Sequence, residues 1–442
     1  MEPFNVAGLA RGVGVKLTKE RKKRLNILYI TYDGILDQLG SSQIMPYLYG
    51  IAKRNHNIYI VSFEKGNKLS TINESFIAKL KDLSITWYPL RFQSKLKVVS
   101  KIYDLISMYI TTIIVTFKKD IDVVHVRGHT AGEAGYLIKF IFKKYLIFDF
   151  RGLWADERVD KGGWQLDNPF DNLQYKYFKY KEKILIKSCD ELVVLTKKVI
   201  PELIKSARIK KEKITVIPCC ADYSLFKYAN ESITREAKSN INLSGKEIVL
   251  GYLGSVGRMY RADCYLKLLQ RCQKDGINVK GLVITQEVCE FKKLINDFKD
   301  NDLQRIIDIK TANRDEIPLL IAAMNILVAF IEPTYAKISS SPTKISEALA
   351  CGVPVVCNEG IGDTTEIIRE NKAGIVLKRL NYEYLNKAAK QIEKISKTKN
   401  ESIRISSESI LSLDKGIILY SKVYDRIINR INKRARRSYF SK

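Results

Sequence analysis

Short apolar runs alternate along this chain with longer stretches in which apolar residues recur every three or four positions. The runs at 25–31, 58–63, 85–88, 122–126, 145–150, 191–195 and 214–217 are nearly continuous. That is the pattern of strands buried on both faces. Helix-like segments separate most of them, so the order predicts a parallel sheet with helices on both sides. Residues 221–246 are polar and turn-prone, with Asn230-Glu231-Ser232 and Asn242-Leu243-Ser244-Gly245, and mark a domain boundary. A second series follows at 248–253, 279–284, 306–309, 325–330, 353–357 and 374–377. A helix-like segment at 410–431 comes last.

The predicted fold class is therefore α/β: two Rossmann-like, doubly wound domains facing a cleft. Ligands in such sheets bind at the carboxyl ends of strands, where the strand order switches. The organisation reads as a basic arm over 1–24, a first domain over 25–220, a linker over 221–246, a second domain over 247–405, and a C-terminal helix and basic tail over 406–442. After the first strand, Asp33-Gly34 and Leu39-Gly40-Ser41-Ser42 predict a turn-rich loop. Residues 102–117 are apolar but include Asp104. They predict a core helix, or one lying at a membrane surface, rather than a crossing.

The segment from Ser339 to Val356 carries the most chemistry. Ser341 is placed to cap a helix, with Pro342 at its first position. Gly352 suits a left-handed stop, and 353–357 reads as a strand. The first turn then offers free N–H groups and the positive end of the helix dipole. Lys344 and Glu347 share a face. A phosphate at the helix start with a sugar hydroxyl on Glu347 suits the layout. So does an ordinary capped helix packed on a sheet.

Charge narrows the partners. The 442 residues hold 75 Lys and Arg against 48 Asp and Glu, a net +27. Residues 1–24 supply +5 and residues 422–442 supply +7. Such a balance favours a polyanion (nucleic acid, an anionic membrane face or phosphate-bearing substrates), or reflects compositional drift in a chain rich in Lys, Ile and Asn throughout. None of the eight cysteines forms a CxxC pair, and His56, His125 and His129 complete no zinc spacing. Most of the cysteines sit in apolar runs and read as reduced core residues of a cytosolic protein. No secretory signal precedes the first Lys/Arg cluster.

Four segments bring a family into view. Glu347-Ala348-Leu349-Ala350-Cys351-Gly352-Val353-Pro354-Val355-Val356 resembles the donor-site signature of GT-B glycosyltransferases like those of family four. The stretches from Tyr32 to Gln43, from Asp149 to Arg158 and from Val216 to Asp222 resemble bacterial polysaccharide-assembly members of that group. The resemblance spans roughly residues 25–430. It implies a nucleotide-sugar donor on the second domain, a glycan or lipid-linked glycan acceptor on the first, transfer across the cleft, and no metal or other cofactor.

The resemblance also assigns roles. Glu347 matches the second Glu of the family's E-x7-E motif and is expected to hold the ribose hydroxyls. Ser339 stands where the first Glu contacts the donor sugar, so donor identity and stereochemical outcome do not carry over. Glu332 lies seven residues upstream as a substitute. The family's phosphate-binding Arg and Lys align with Ser255 and Arg261, with Arg258 and Lys344 able to share the load. Such cations stabilise a leaving diphosphate more than the bound ground state. The donor-binding set is thus Gly40, Ser41, Gly254, Ser255, Arg258, Arg261, Ser340, Ser341, Thr343, Lys344 and Glu347.

The candidate catalytic residues are Glu347, Lys344, Arg127 and Asp156. Arg127 stands at the end of its strand, where many members carry His. Asp156 or Glu157, in a loop with Arg151, is the candidate general base of an inverting reaction. His125 reads as a core residue. Asp363-Thr364-Thr365-Glu366 reads as a capping box. Neither Asp120-Ile121-Asp122 nor Asp300-Asn301-Asp302 reads as a metal site. Lysines and aromatics interleaved at 91–101 and 139–145 suggest seating on an anionic membrane face, and hence a cytoplasmic, peripheral enzyme. The rivals are a nucleotide-sugar epimerase of similar build, a nucleic-acid-binding protein, and a non-catalytic scaffold. The aromatics form no nucleic-acid-binding signature, so no nucleic acid partner is expected.

Overall fold

The computed structural model describes residues 23–66, 68–93, 97–243 and 245–440. The N-terminal arm lies outside them up to residue 22. Each predicted apolar run is a strand. In the first domain these are β1 (Asn26–Thr31), β2 (Asn57–Glu64), β3 (Ile85–Arg91), β4 (Val123–Arg127), β5 (Tyr145–Phe150), β6 (Glu191–Val194) and β7 (Ile214–Val216). In the second they are β8 (Ile248–Leu253), β9 (Val279–Ile284), β10 (Ile307–Lys310), β11 (Ile326–Ala329), β12 (Val355–Asn358) and β13 (Gly374–Leu377).

The strands form two all-parallel sheets, ordered β3-β2-β1-β4-β5-β6-β7 and β10-β9-β8-β11-β12-β13. The order reverses beside β1 in one and beside β8 in the other, which puts a ligand crevice at the carboxyl end of each. Side chains alternate across the sheet, so each strand feeds two cores. Leu28 and Ile30 join the helices Lys97–Lys118 and Gly128–Phe142 on one face. Ile27 and Tyr29 join the helix Met45–Ala52 on the other.

The last helix completes that second face. A single segment at 410–431 was expected. Instead the chain breaks at Ser412 into the helices Glu401–Leu411 and Leu413–Phe440. The Ser412 hydroxyl accepts the Lys415 N–H, so it starts a new helix there. The long helix returns to the first domain and buries Tyr420, Val423, Tyr424 and Ile427 against β1, β2 and β4. Arg426 and Arg430 both donate to Glu191, which is fully buried. The chain thus crosses between domains twice. The crossings are fastened together, with Ala221 N–H donating to Leu411 and Leu413 N–H to Ala221.

Two further expectations change. Residues 38–43 are not an open loop but a short helix, Gln38–Gln43. Gly40 permits it, because a Cβ there would stand 2.2 Å from the Gly34 carbonyl oxygen. Residues 221–246 include the helix Glu231–Ser239, whose Ala237 enters the second-domain core.

Ile427 is fully buried, so Ile427→Ala should remove its contacts and leave a cavity. A loss of about 2–5 kcal/mol is expected, read as a lower urea midpoint of the first domain.

Candidate active site

The two crevices face each other across one cavity of about 560 Å³. The second domain supplies Gly254, Ser255, Tyr260, Arg314, Lys337, Ser340, Ser341, Thr343, Lys344 and Glu347 to its wall, and the first supplies Asp33, Ser42, Arg127, Arg151 and Glu157. The helix Thr343–Ala350 points its start into this space. It begins one residue later than expected: Pro342 is the cap, and no side chain caps it. The Ser341 hydroxyl instead accepts the Cys219 N–H from the first domain. Gly352 ends the helix with φ of 73°.

Lys344 is the unusual group. Its Nζ is buried without a hydrogen-bond partner among the described residues. It lies 5.3 and 5.1 Å from the ring centroids of Tyr252 and Tyr260. Ring faces attract a cation but do not neutralise it. Burial lowers its pKa to about 8, although Glu347 opposes the shift. Gly254 has φ of 123°, and a Cβ there would come 3.4 Å from the Nζ. Glu347, also buried, is raised above the ordinary carboxylate value by burial, and Arg314 opposes that rise. Arg314 donates to Glu347 and stacks 4.8 Å from the Phe226 centroid.

The opposite wall is organised by Asp149 at the end of β5, fully buried. It pairs with Arg127 at 3.5 Å and Arg151 at 3.4 Å, and accepts from the Tyr420 hydroxyl. Burial pushes the Asp149 pKa up, but Arg151 and Arg127 outweigh it and hold it below the ordinary value. His125, behind them, shares a hydrogen bond with Tyr424. Burial lowers its pKa to about 4, so the ring is neutral, as the core reading expected.

The model described as Glycosyl transferases group 1 matches residues 234–408, and that of Glycosyltransferase Family 4 matches 49–225. The chain belongs to the GT-B glycosyltransferases. Solved structures agree with this fold. Anabaena HepE, in complex with UDP and glucose, matches at TM-score 0.66 and 15% identity over 91% of this chain and all of its own. Sucrose-phosphate synthase from Thermosynechococcus elongatus gives 0.69 and 13%, over 92% and 100%. A glycosyltransferase from Rickettsia africae gives 0.66 and 17%, over 92% and 99%. No curated protein matched.

In this glycosyltransferase, Gly254, Ser255, Ser340, Ser341, Thr343, Lys344, Glu347 and Arg127 come together at the cavity. Five expected residues are placed elsewhere. Gly40 packs beneath the Gln38–Gln43 turn, and Ser41 donates to Gln38. Arg258 is exposed. Arg261 is spent on Asp263 and Glu332, which also removes Glu332 as a sugar contact. Asp156 faces away, bound by the Tyr175 hydroxyl and Lys179; its neighbour Glu157 lines the cavity instead.

Ser339 is buried, donates to Ala336 and accepts the Leu153 N–H, so it holds the domains together rather than facing a sugar. Lys337 reaches the cavity and binds Glu157 at 2.9 Å. Asp363 stands at the cap position of its helix but its side chain does not cap it: the carboxylate accepts the Lys197 and Lys198 N–H groups across the cleft. Among the described residues no cluster of three His, Cys, Asp or Glu side chains converges on a metal position. Arg314, Tyr252, Tyr260 and Lys337 were missed. Arg314 sits just beyond β10 in sequence, and position after a strand was its only signal.

Lys344 is charged below about pH 8 and neutral above it. Diphosphate affinity should hold steady at lower pH and fall as pH rises past that value, approaching about tenfold per pH unit. Lys344→Arg, which keeps its charge, should flatten the profile. Calorimetric titration with a nucleoside diphosphate across this range is the check.

Proposed function

We propose that this enzyme transfers a hexosyl group from a nucleoside-diphosphate sugar to a hydroxyl of a lipid-linked glycan, at the cytoplasmic face of a membrane. The observation that carries the donor half is the buried, unpartnered Lys344 ammonium at a helix start, with Glu347 one turn on in the same cavity. A diphosphate satisfies both the cation and the first-turn N–H groups. Glu347 then takes the ribose hydroxyls, in exchange for its contact with Arg314. UDP-glucose bound to Anabaena HepE supports this donor class.

In the reaction the acceptor oxygen bonds to the anomeric carbon. The bond from that carbon to the β-phosphate oxygen breaks, and the nucleoside diphosphate leaves. Negative charge grows on the leaving group, where Lys344 is already fixed and dry, so its attraction strengthens toward the transition state. Arg127 and Arg151, held out by Asp149, form a second cationic site on the acceptor side, suited to a lipid-linked phosphate. The acceptor proton passes to a carboxylate. Glu157 is engaged by Lys337 and Lys161, which outweigh burial and hold its pKa low. Among the described residues the Asp33 carboxylate is paired only with Arg127, at 3.8 Å, and is the freer base.

Thermal unfolding against UDP, GDP, ADP, CMP and their sugar conjugates tests the donor site. One nucleotide should raise Tm by several degrees, since ligand at 100 times Kd adds roughly 2.7 kcal/mol. Glu347→Ala should abolish the shift. No shift with any of them, in folded protein, would overturn the reading. Asp33→Asn should leave that shift intact and lower kcat by roughly 10²–10⁴ with a lipid-linked acceptor.

A further inference from the structure

The first domain carries one layer of helices whose outer side is apolar, although Met108 and Val115 of the first helix also face the core. The helices Lys97–Lys118, Gly128–Phe142 and Pro169–Ser188 pack side by side over the same face of the sheet. On the first of them the polar residues Asp104, Thr112 and Thr116 turn inward. Asp104 accepts from the Tyr32 hydroxyl, while Thr112 and Thr116 bond their own helix carbonyls. Its water-facing side holds Ile102, Tyr103, Ile106, Ile110, Ile114 and Phe117. Between Lys101 and Lys118 every exposed side chain is apolar. A helix of a freely soluble protein shows the reverse arrangement.

The neighbours continue this surface. On Gly128–Phe142 the exposed side chains are Tyr136, Phe140 and Ile141. On Pro169–Ser188 they are Phe170, Leu173, Tyr177 and Tyr180, interleaved with Lys176, Lys183 and Lys187. Among the described residues of the three helices, no exposed side chain is a carboxylate. Beyond these helices the edge is net basic: Lys143, Lys144 and Arg434 of the C-terminal helix line one notch with the single carboxylate Asp122.

We propose that this three-helix face is a docking surface for an anionic lipid bilayer, with the isoleucine ridge entering the acyl boundary and the lysines meeting headgroups. The chemistry selects the partner. Protein interfaces are depleted of lysine, whereas an aliphatic ridge with aromatics and lysines and no carboxylates matches the layered polarity of a membrane surface. Long lysine stems lie along the apolar face and extend their charges to phosphate level. The Val99–Lys118 segment is long and apolar enough to span a bilayer, but its inner face is committed to the sheet, so it lies on the membrane rather than crossing it. This inference rests on the surface alone, not on the sugar-transfer reading.

The full chain should co-sediment with vesicles of mixed phosphatidylglycerol and phosphatidylcholine at low salt, and far less with pure phosphatidylcholine. Ile106→Asp with Ile110→Asp should weaken binding roughly tenfold or more. These side chains face water, so unfolding temperature and any nucleotide-induced shift should stay unchanged. Lys176→Glu with Lys183→Glu is an independent test that should remove the preference for anionic lipid. Wild-type protein left in the supernatant, or aspartate variants that bind as wild type, would overturn the proposal. So would a dimer that the aspartates convert to a monomer without any vesicle binding, which would assign the face to a second copy. Vesicle binding with no nucleotide shift would uphold this inference while overturning the donor reading.

Discussion

The buried carboxylate of Asp149 is the fixed point of the cleft. It sits at the end of β5, inside the sheet, and an ionised group there is tolerable only because two guanidiniums and a tyrosine hydroxyl meet it. Those partners come from β4, from the loop after β5 and from the last helix of the chain. One anion thus fixes where two arginines enter the cavity and ties the C-terminal helix to the first sheet. Losing it would leave the buried Arg127 guanidinium with only the Asp33 carboxylate, at 3.8 Å, to compensate its charge.

The second domain works by the opposite rule. Lys344 is buried with no anion but Glu347, and Glu347 is occupied by Arg314. The cavity therefore has an ion-paired wall and a wall whose cation lacks a hydrogen bond. The diphosphate proposed above would complete the second, while the ion pairs hold the first in shape. Such preorganisation avoids reorienting dipoles at the moment when charge moves.

Much of this was legible in the sequence, and the limits have physical causes. The central strands were visible because strands inside a parallel sheet are apolar on both faces, and the edge strands β3, β7, β10 and β13, only partly buried, because short β-branched runs between turn residues mark them. Lys344 and Glu347 were found because one helix turn sets their spacing. What failed were local rules overridden by distant partners. Ser341 and Asp363 have the composition of helix caps, yet each is spent on a backbone N–H of the other domain. Asp156 and Glu157 are adjacent in sequence, but a helix points them in different directions, and only packing decides which one meets the cavity. Arg261 had the right spacing and the wrong neighbours: Asp263, two residues on, captured it. Arg314 has no motif and is defined by folding alone.

The returning C-terminal helix has a consequence for biogenesis. Tyr424 reaches back 299 residues to hydrogen-bond His125, and Tyr420 reaches Asp149 across 271. The first sheet is fully synthesised once Val216 is made, yet one of its faces lacks its cover until the ribosome has added some two hundred residues more. At ordinary translation speeds that is a delay on the order of 10–40 s. During it, Ile27, Tyr29, Ile58 and Ile60 lack part of their final packing, while the second domain can form entirely from its own strands. The order of maturation is therefore inverted relative to the order of synthesis. The domain made first is the last to be finished, and a chain truncated near its end loses the integrity of its beginning.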